Sequence, residues 1–185
     1  MRRSASGWGC TLAATVLLVG LPAHADDPIV PPSDGCFVNG RLVPDGPITL
    51  SGNSRLECRG DAPAPGATIV AEGGHNDISI RFAGNRGLIR LEGPGNRVLI
   101  TGYPIGNAGA VIGRSTDDII SVTGIGDPAR HIRGIGNSGV IQSNSPRVSA
   151  TGIDGYDRSG TIPRPPQPIP GIDNTGVIIC PPGLR

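Results

Sequence analysis

From about residue 48 onward, apolar residues come in short bursts that close on glycine: ITLSG at 48–52, ISIRFAG at 78–84, LIRLEG at 88–93, VLITG at 98–102, ISVTG at 120–124 and VSATG at 148–152. A second kind of burst opens on Asn-x-Gly: NRGLI at 85–89, NAGAVI at 107–112, NSGVI at 137–141 and NTGVII at 174–179. Each burst has the length and the β-branched content of one short strand. Alternation is visible inside them. Ile120 and Val122 would face one way and Ser121 and Thr123 the other; Val148 and Ala150 likewise oppose Ser149 and Thr151. These patterns predict an all-β fold built from many short strands.

The spacing of the bursts is more specific than their composition. The opening glycines are Gly87, Gly109, Gly139 and Gly176, and the closing ones Gly102, Gly124 and Gly152. From opening to closing glycine the separations are 15, 15 and 13; from closing to the next opening they are 7, 15 and 24. One half of the period is nearly constant and the other takes insertions. Stacked coils behave this way, since strands must lie on those below while extra residues leave at one corner. The uninserted period is 22 residues, from Gly87 to Gly109. A short single-stranded parallel β-helix, a solenoid of about five coils, is therefore expected. A β-sandwich is the alternative, but it needs antiparallel hairpins and few two-residue Asn-Gly or Asp-Gly turns lie between bursts. Asn39-Gly40 and Asp45-Gly46 precede the repeats and suit a capping hairpin. Asn53, Asn76, Asn96, Asn107, Asn137 and Asn174 are assigned to turns, where Asn tolerates left-handed geometry and its amide bonds the backbone of the next coil.

With its coil length, Asn at turns and Gly-closed bursts, the stretch 48–180 resembles the right-handed parallel β-helix proteins, the pectate-lyase-like group of secreted solenoids. The resemblance implies right-handed winding and concerns architecture alone.

The N-terminus changes the picture of where the chain works. Arg2 and Arg3 precede an apolar stretch, Thr11 to Leu21, and then Ala23-His24-Ala25. This reads as a signal peptide over 1–25 with an N-terminal signal helix, cleaved near Ala25, and so as a secreted or periplasmic protein. A Pro-rich entry and cap (26–47), the solenoid (48–180) and a short tail (181–185) would follow. Without Arg2 and Arg3, 14 Arg stand against 15 Asp and Glu, and the chain has no Lys. A near-neutral domain gives no electrostatic reason to expect nucleic acid. No later apolar run is long enough for a membrane span. Partners in view are a polysaccharide or a surface protein. Cys36 and Cys58 lie one period apart, and stacked coils bring such positions within disulfide reach, so this pair is expected to be bridged and Cys180 left as a free or intermolecular thiol. The cysteines are too scattered for zinc, and no metal or cofactor is expected.

Candidate chemistry concentrates where insertions leave the repeat. The three corners carry Tyr103; Asp127, Arg130, His131 and Arg133; and Asp154, Tyr156, Asp157 and Arg158. Stacked coils would make these loops neighbours, a candidate contact surface on inserted loops. Asp117-Asp118 invites comparison with the paired acids of glycosidases, but Asn-Thr-Asp and Gly-His-Gly are missing and His131 lies beyond the far end of the strand. Gly73-Gly74-His75-Asn76-Asp77 is a single, incomplete likeness to a calcium-binding nonapeptide, and Thr101, Thr123 and Thr151 form a short outward column. Past residue 25 only four aromatic residues remain, Phe37, Phe82, Tyr103 and Tyr156, few for stacking platforms. The expected function is a secreted, non-enzymatic solenoid with a structural or interaction role. The alternative is a small carbohydrate-active enzyme, hydrolase or lyase, using Asp154, Asp157 and His131.

Overall fold

The computed structural model describes residues 34–157 and 167–180, with the side chains of 155–169 outside that description. The expected signal helix, the tail and Arg158 lie outside the described residues.

The strands begin with β1 (Gly35–Val38), β2 (Arg41–Val43), β3 (Ile48–Leu50), β4 (Arg55–Arg59), β5 (Thr68–Ala71) and β6 (Asp77–Phe82). They continue as β7 (Leu88–Leu91), β8 (Arg97–Gly102), β9 (Ile105–Asn107), β10 (Ala110–Gly113), β11 (Ile119–Ile125) and β12 (Ile135–Asn137). The last are β13 (Val140–Ser143), β14 (Val148–Asp157), β15 (Gln167–Pro170), β16 (Ile172–Asn174) and β17 (Val177–Ile179). They form an eight-stranded sheet in the order β15-β14-β11-β8-β6-β4-β1-β2, a six-stranded sheet β17-β13-β10-β7-β5-β3, and a three-stranded sheet β16-β12-β9. Between β4 and β14 every ladder of the large sheet is parallel, as are all ladders of the other two. Parallel pairing of sequence-distant strands is compatible with a β-helix-like fold and is the reverse of what the sandwich requires. Antiparallel pairs occur at the two ends of the large sheet, β1 with β2 and β4, and β14 with β15.

The glycine spacing matches the observed register. Gly102, Gly124 and Gly152 lie directly opposite one another across β8, β11 and β14. Thr101, Thr123 and Thr151 also align, the first two half-buried and Thr151 exposed. Inward columns run Leu56, Ile78, Val98, Ile120 on the large sheet and Ile48, Ile69, Ile89, Val111, Ile141 on the six-stranded one, all buried. Each such aliphatic side chain contributes about 1.5–3 kcal/mol by leaving water.

Asparagine does more than turn the chain. Asn85, Asn107, Asn137 and Asn174 form a ladder in which each Nδ2 donates to the next Oδ1, at 2.7, 2.6 and 2.8 Å. A second ladder stacks Asn76 on Asn96 and Asn96 on Asp118: Asn76 Oδ1 accepts from Ser54 N–H, Asn96 Oδ1 from Asn76 N–H, and Asp118 Oδ1 from Asn96 N–H, each at 3.0 Å. The ladder residues do not have positive φ; among the asparagines only Asn39 and Asn53 do. Left-handed tolerance therefore explains Asn39 and Asn53, and side-chain stacking explains the ladder members. Asn39-Gly40 makes the β1–β2 hairpin, whereas Asp45-Gly46 is a bend between sheets.

Asp118 takes a place that Asn holds on the rungs below. Burial pushes its carboxyl above the ordinary carboxylate range, against the pull of the Asn96 and Ser115 N–H groups. An acid raised in the folded state contributes stability that is present below its unfolded pKa and lost as pH rises through the folded value. Asp118→Asn removes this titration while putting an NH2 group where Oδ2 accepts from Ser115 N–H at 3.3 Å, so the melting temperature of the variant relative to the parent should rise between pH 3 and pH 7. Thermal scans at the two pH values check this, and an equal effect at both would contradict it.

Cys36 and Cys58 are disulfide-bonded and Cys180 is free and exposed. The route to this pairing differs from the sequence argument: the two face each other across the antiparallel β1–β4 ladder rather than on stacked parallel rungs. The bridge closes a separation of 22 residues, worth roughly 3 kcal/mol in chain entropy. Reduction should lower stability by about that amount, and peptide mass analysis should show a 2 Da change on reduction at this pair and none at Cys180.

Candidate functional site

Tyr103 and Pro104 join β8 to β9, 126–134 joins β11 to β12, and β14 is followed in the chain by β15 and β16. The middle loop is a small closed hairpin. Asp127 and Ile132 exchange backbone bonds of 2.8 and 2.9 Å around a 3-10 turn at Pro128–Arg130. Asp127 caps that turn, its Oδ1 accepting from Ala129 N–H at 3.0 Å, and its Oδ2 lies 3.4 Å from Arg130 Nε. His131 ends the turn in left-handed geometry with φ 56 and is exposed.

The loops are tied to their neighbours above and below. The nearby Tyr103 hydroxyl holds the Asp127 carboxyl below its usual range, while desolvation and then Asp127 hold the Tyr103 phenol above its own. On the next rung Asp154 is fully engaged: Oδ2 meets Arg133 Nε at 3.0 Å and Oδ1 accepts from Gly134 N–H at 2.9 Å. Gly126 N–H donates to Ile153 O at 2.7 Å. The corner thus brings together Tyr103, Asp127 and Arg130 in one cluster and Arg133 and Asp154 in another. His131, Arg133 and Asp154 line a shallow hollow of about 340 Å3 with Pro128 and Ile132. The backbone of Tyr156 and Asp157 continues β14 opposite Pro168 and Gln167; their side chains are outside the described residues.

The acid pair does not form a site. Asp118 is buried in its ladder, while Asp117 is exposed. Asn76 in the Gly-Gly-His-Asn-Asp run is likewise a ladder residue, and among the described residues no three His, Cys, Asp or Glu cluster as metal ligands. No helix among them is long and apolar enough to cross a membrane.

A larger hollow lies lower on the same side. It has a volume of about 530 Å3 and is lined by Asp61, Pro63, Pro65, Phe82, Ala83, Arg86 and Tyr103. Sequence reasoning found Tyr103 but missed Phe82, because the connections 60–67 and 83–87 lie before the first complete pair of glycine columns. The available signal was Phe82 inside ISIRFAG, an aromatic next to the burst's closing glycine. Comparison with protein-family models, curated proteins and solved structures finds no match to this chain, so its reading rests on this corner and its geometry.

Proposed function

We propose that the chain is a secreted, non-enzymatic β-solenoid of about five coils with a structural or interaction role, its contacts made by the stacked corner loops. The observation that carries this reading is how the corner carboxylates are used. Asp127 and Asp154 each hold a loop in shape through backbone N–H groups and an arginine. A general acid or nucleophile needs a free carboxyl facing a substrate and, in glycosidases, a second one about 5–10 Å away; here each hollow is lined by a single acid. Fixed loops with exposed Arg130, His131 and Arg133 make a preformed contact face. The disulfide supports export, since such bridges persist in oxidising compartments. The alternative, a small carbohydrate-active enzyme, draws on the grouping of His131, Arg133 and Asp154 around one hollow.

Incubating the mature chain with cell-wall polysaccharides and with surface-protein extracts separates the two. The interaction reading expects retention on one of these materials, weakened by Arg133→Ala, without release of reducing ends or unsaturated sugars. Release of either product, abolished by Asp154→Asn, would replace it with the enzymatic reading.

A further inference from the structure

Phe82 stands where its register column otherwise holds glycine. It pairs with Gly102, which aligns with Gly124 and Gly152. Counting on from the Cys58–Ile80 pair, Gly60 falls on the same line below it. Phe82 adopts φ 74, a conformation that glycine takes freely and an aromatic residue very rarely. Packing does not account for it, because Phe82 is 67% exposed. A residue kept in a costly backbone state with its ring in solvent points to use of the ring.

The ring's surroundings say what for. Phe82 and Tyr103 are joined by a backbone bond, Tyr103 N–H to Phe82 O at 2.9 Å, and both line the 530 Å3 hollow with Pro63 and Pro65. Tyr103 is itself 41% exposed. Two of the four aromatic residues beyond the leader thus meet at one cleft, so the small aromatic count does not deny the chain a stacking platform. Asp61 and Arg86 complete the lining; both are exposed, and among the described residues neither is in an ion pair. Their opposite charges balance, which favours an uncharged ligand over an anion or a cation. The cleft therefore offers apolar ring faces, a carboxylate acceptor and a guanidinium donor around a space within the range of small-ligand sites.

We propose that this cleft binds a neutral pyranose unit of a glycan, its C–H face stacked on Phe82 and Tyr103 and its hydroxyls bonded to Asp61 and Arg86. An anionic sugar would lose at Asp61 what it gains at Arg86 and so has no advantage here. The proposal rests on the interaction reading only in placing the contact on this side of the molecule, and it names the ligand class.

The test uses the mature chain and four probes: cellohexaose, xylohexaose, mannohexaose and, as an acidic control, a polygalacturonate oligomer. Amide chemical-shift titration should show one neutral hexasaccharide perturbing residues 61, 62, 64, 82–86 and 103. Phe82→Gly and Tyr103→Ala should each weaken that binding by about tenfold or more, and Arg86→Ala should weaken it too. Phe82→Gly restores the glycine of the column, so its melting temperature should equal or exceed that of the parent; lost binding would then not be lost folding. Arg147→Ala, at an exposed residue that lines neither hollow, should bind normally. The proposal fails if none of the neutral probes shifts these amides, if Phe82→Gly binds as well as the parent, or if the acidic oligomer binds best. Retention on a surface material that depends on Arg133 and not on Phe82 would overturn the cleft while leaving the corner-loop reading intact.

Discussion

Replacing Asn107 with alanine should cost about 3–5 kcal/mol, a large share of the roughly 5–15 kcal/mol that holds a domain folded. Asn107 is fully buried and sits inside its ladder. Its Oδ1 accepts from Asn85 Nδ2 at 2.7 Å, and its Nδ2 donates to Asn137 Oδ1 at 2.6 Å. It also reaches the carbonyls of Gly109 and Val140, both at 3.3 Å. Truncation removes these bonds and leaves a buried Asn137 oxygen and one Asn85 proton without partners, and each stranded group costs about 1–3 kcal/mol. Asn107→Gly should not rescue the loss, because the position lacks the positive φ that would favour glycine. Asn174→Ala, at the exposed end of the same ladder, should cost under about 1 kcal/mol. Denaturant unfolding of the three variants gives the comparison. Equal small effects at 107 and 174 would show that the side-chain ladder contributes little.

Gly109→Ala should be at least as damaging. A Cβ built there lies 2.1 Å from the carbonyl oxygen of Gly87 on the neighbouring rung. The contact repeats along the stack: Gly87 against Ala67 O at 2.0 Å, Gly139 against Gly109 O at 2.0 Å and Gly176 against Gly139 O at 2.1 Å. Backbone, not a flexible side chain, occupies the space, so relief requires the rungs to separate and the ladder bonds beside them to stretch. A cost of about 4 kcal/mol or more follows, at the upper end for single substitutions. Gly40→Ala supplies the contrast. Its φ is +79 but its Cβ would meet nothing, so its cost should be the backbone's own, about 1–2 kcal/mol. Melting temperatures of the two variants measure the difference, and a Gly109→Ala protein as stable as Gly40→Ala would mean the rungs are not so closely stacked.

The two glycine columns were legible in the sequence because they are a hard steric requirement. From Gly87 onward in one column and from Gly102 onward in the other, a Cβ would run into neighbouring backbone, so glycine recurs along these rungs and its spacing gives the register. The inward columns were legible for a similar reason, since strand alternation sorts Ile120 and Val122 from Ser121 and Thr123. Asparagine was seen at the turns, yet its main role was not: stacking along the ladder depends on aligned neighbours that no single turn displays. Asp118 was read as half of an acid pair because adjacency in sequence says nothing of burial, and only the rung below shows that it fills an Asn position. The disulfide pairing was foreseen through a parallel stack, but the first strand runs antiparallel and meets the same residue from the other direction. Within the candidate site, Tyr103, Asp127, Arg133 and Asp154 were gathered by the insertion pattern, whereas Phe82 lay outside it. Its oddity is a break in a column, visible once the column is aligned.

Interstrand nuclear Overhauser contacts in labelled protein test the whole account most directly. In-register parallel rungs require amide-to-Hα contacts linking β8 to β11 around Thr101 and Thr123, and β11 to β14 around Thr123 and Thr151, with Hα–Hα contacts confined to the β1–β2–β4 and β14–β15 pairs. Hα–Hα contacts joining β8 to β11, or β10 to β13, would show antiparallel hairpins there, and the stacked corner and its cleft would not exist.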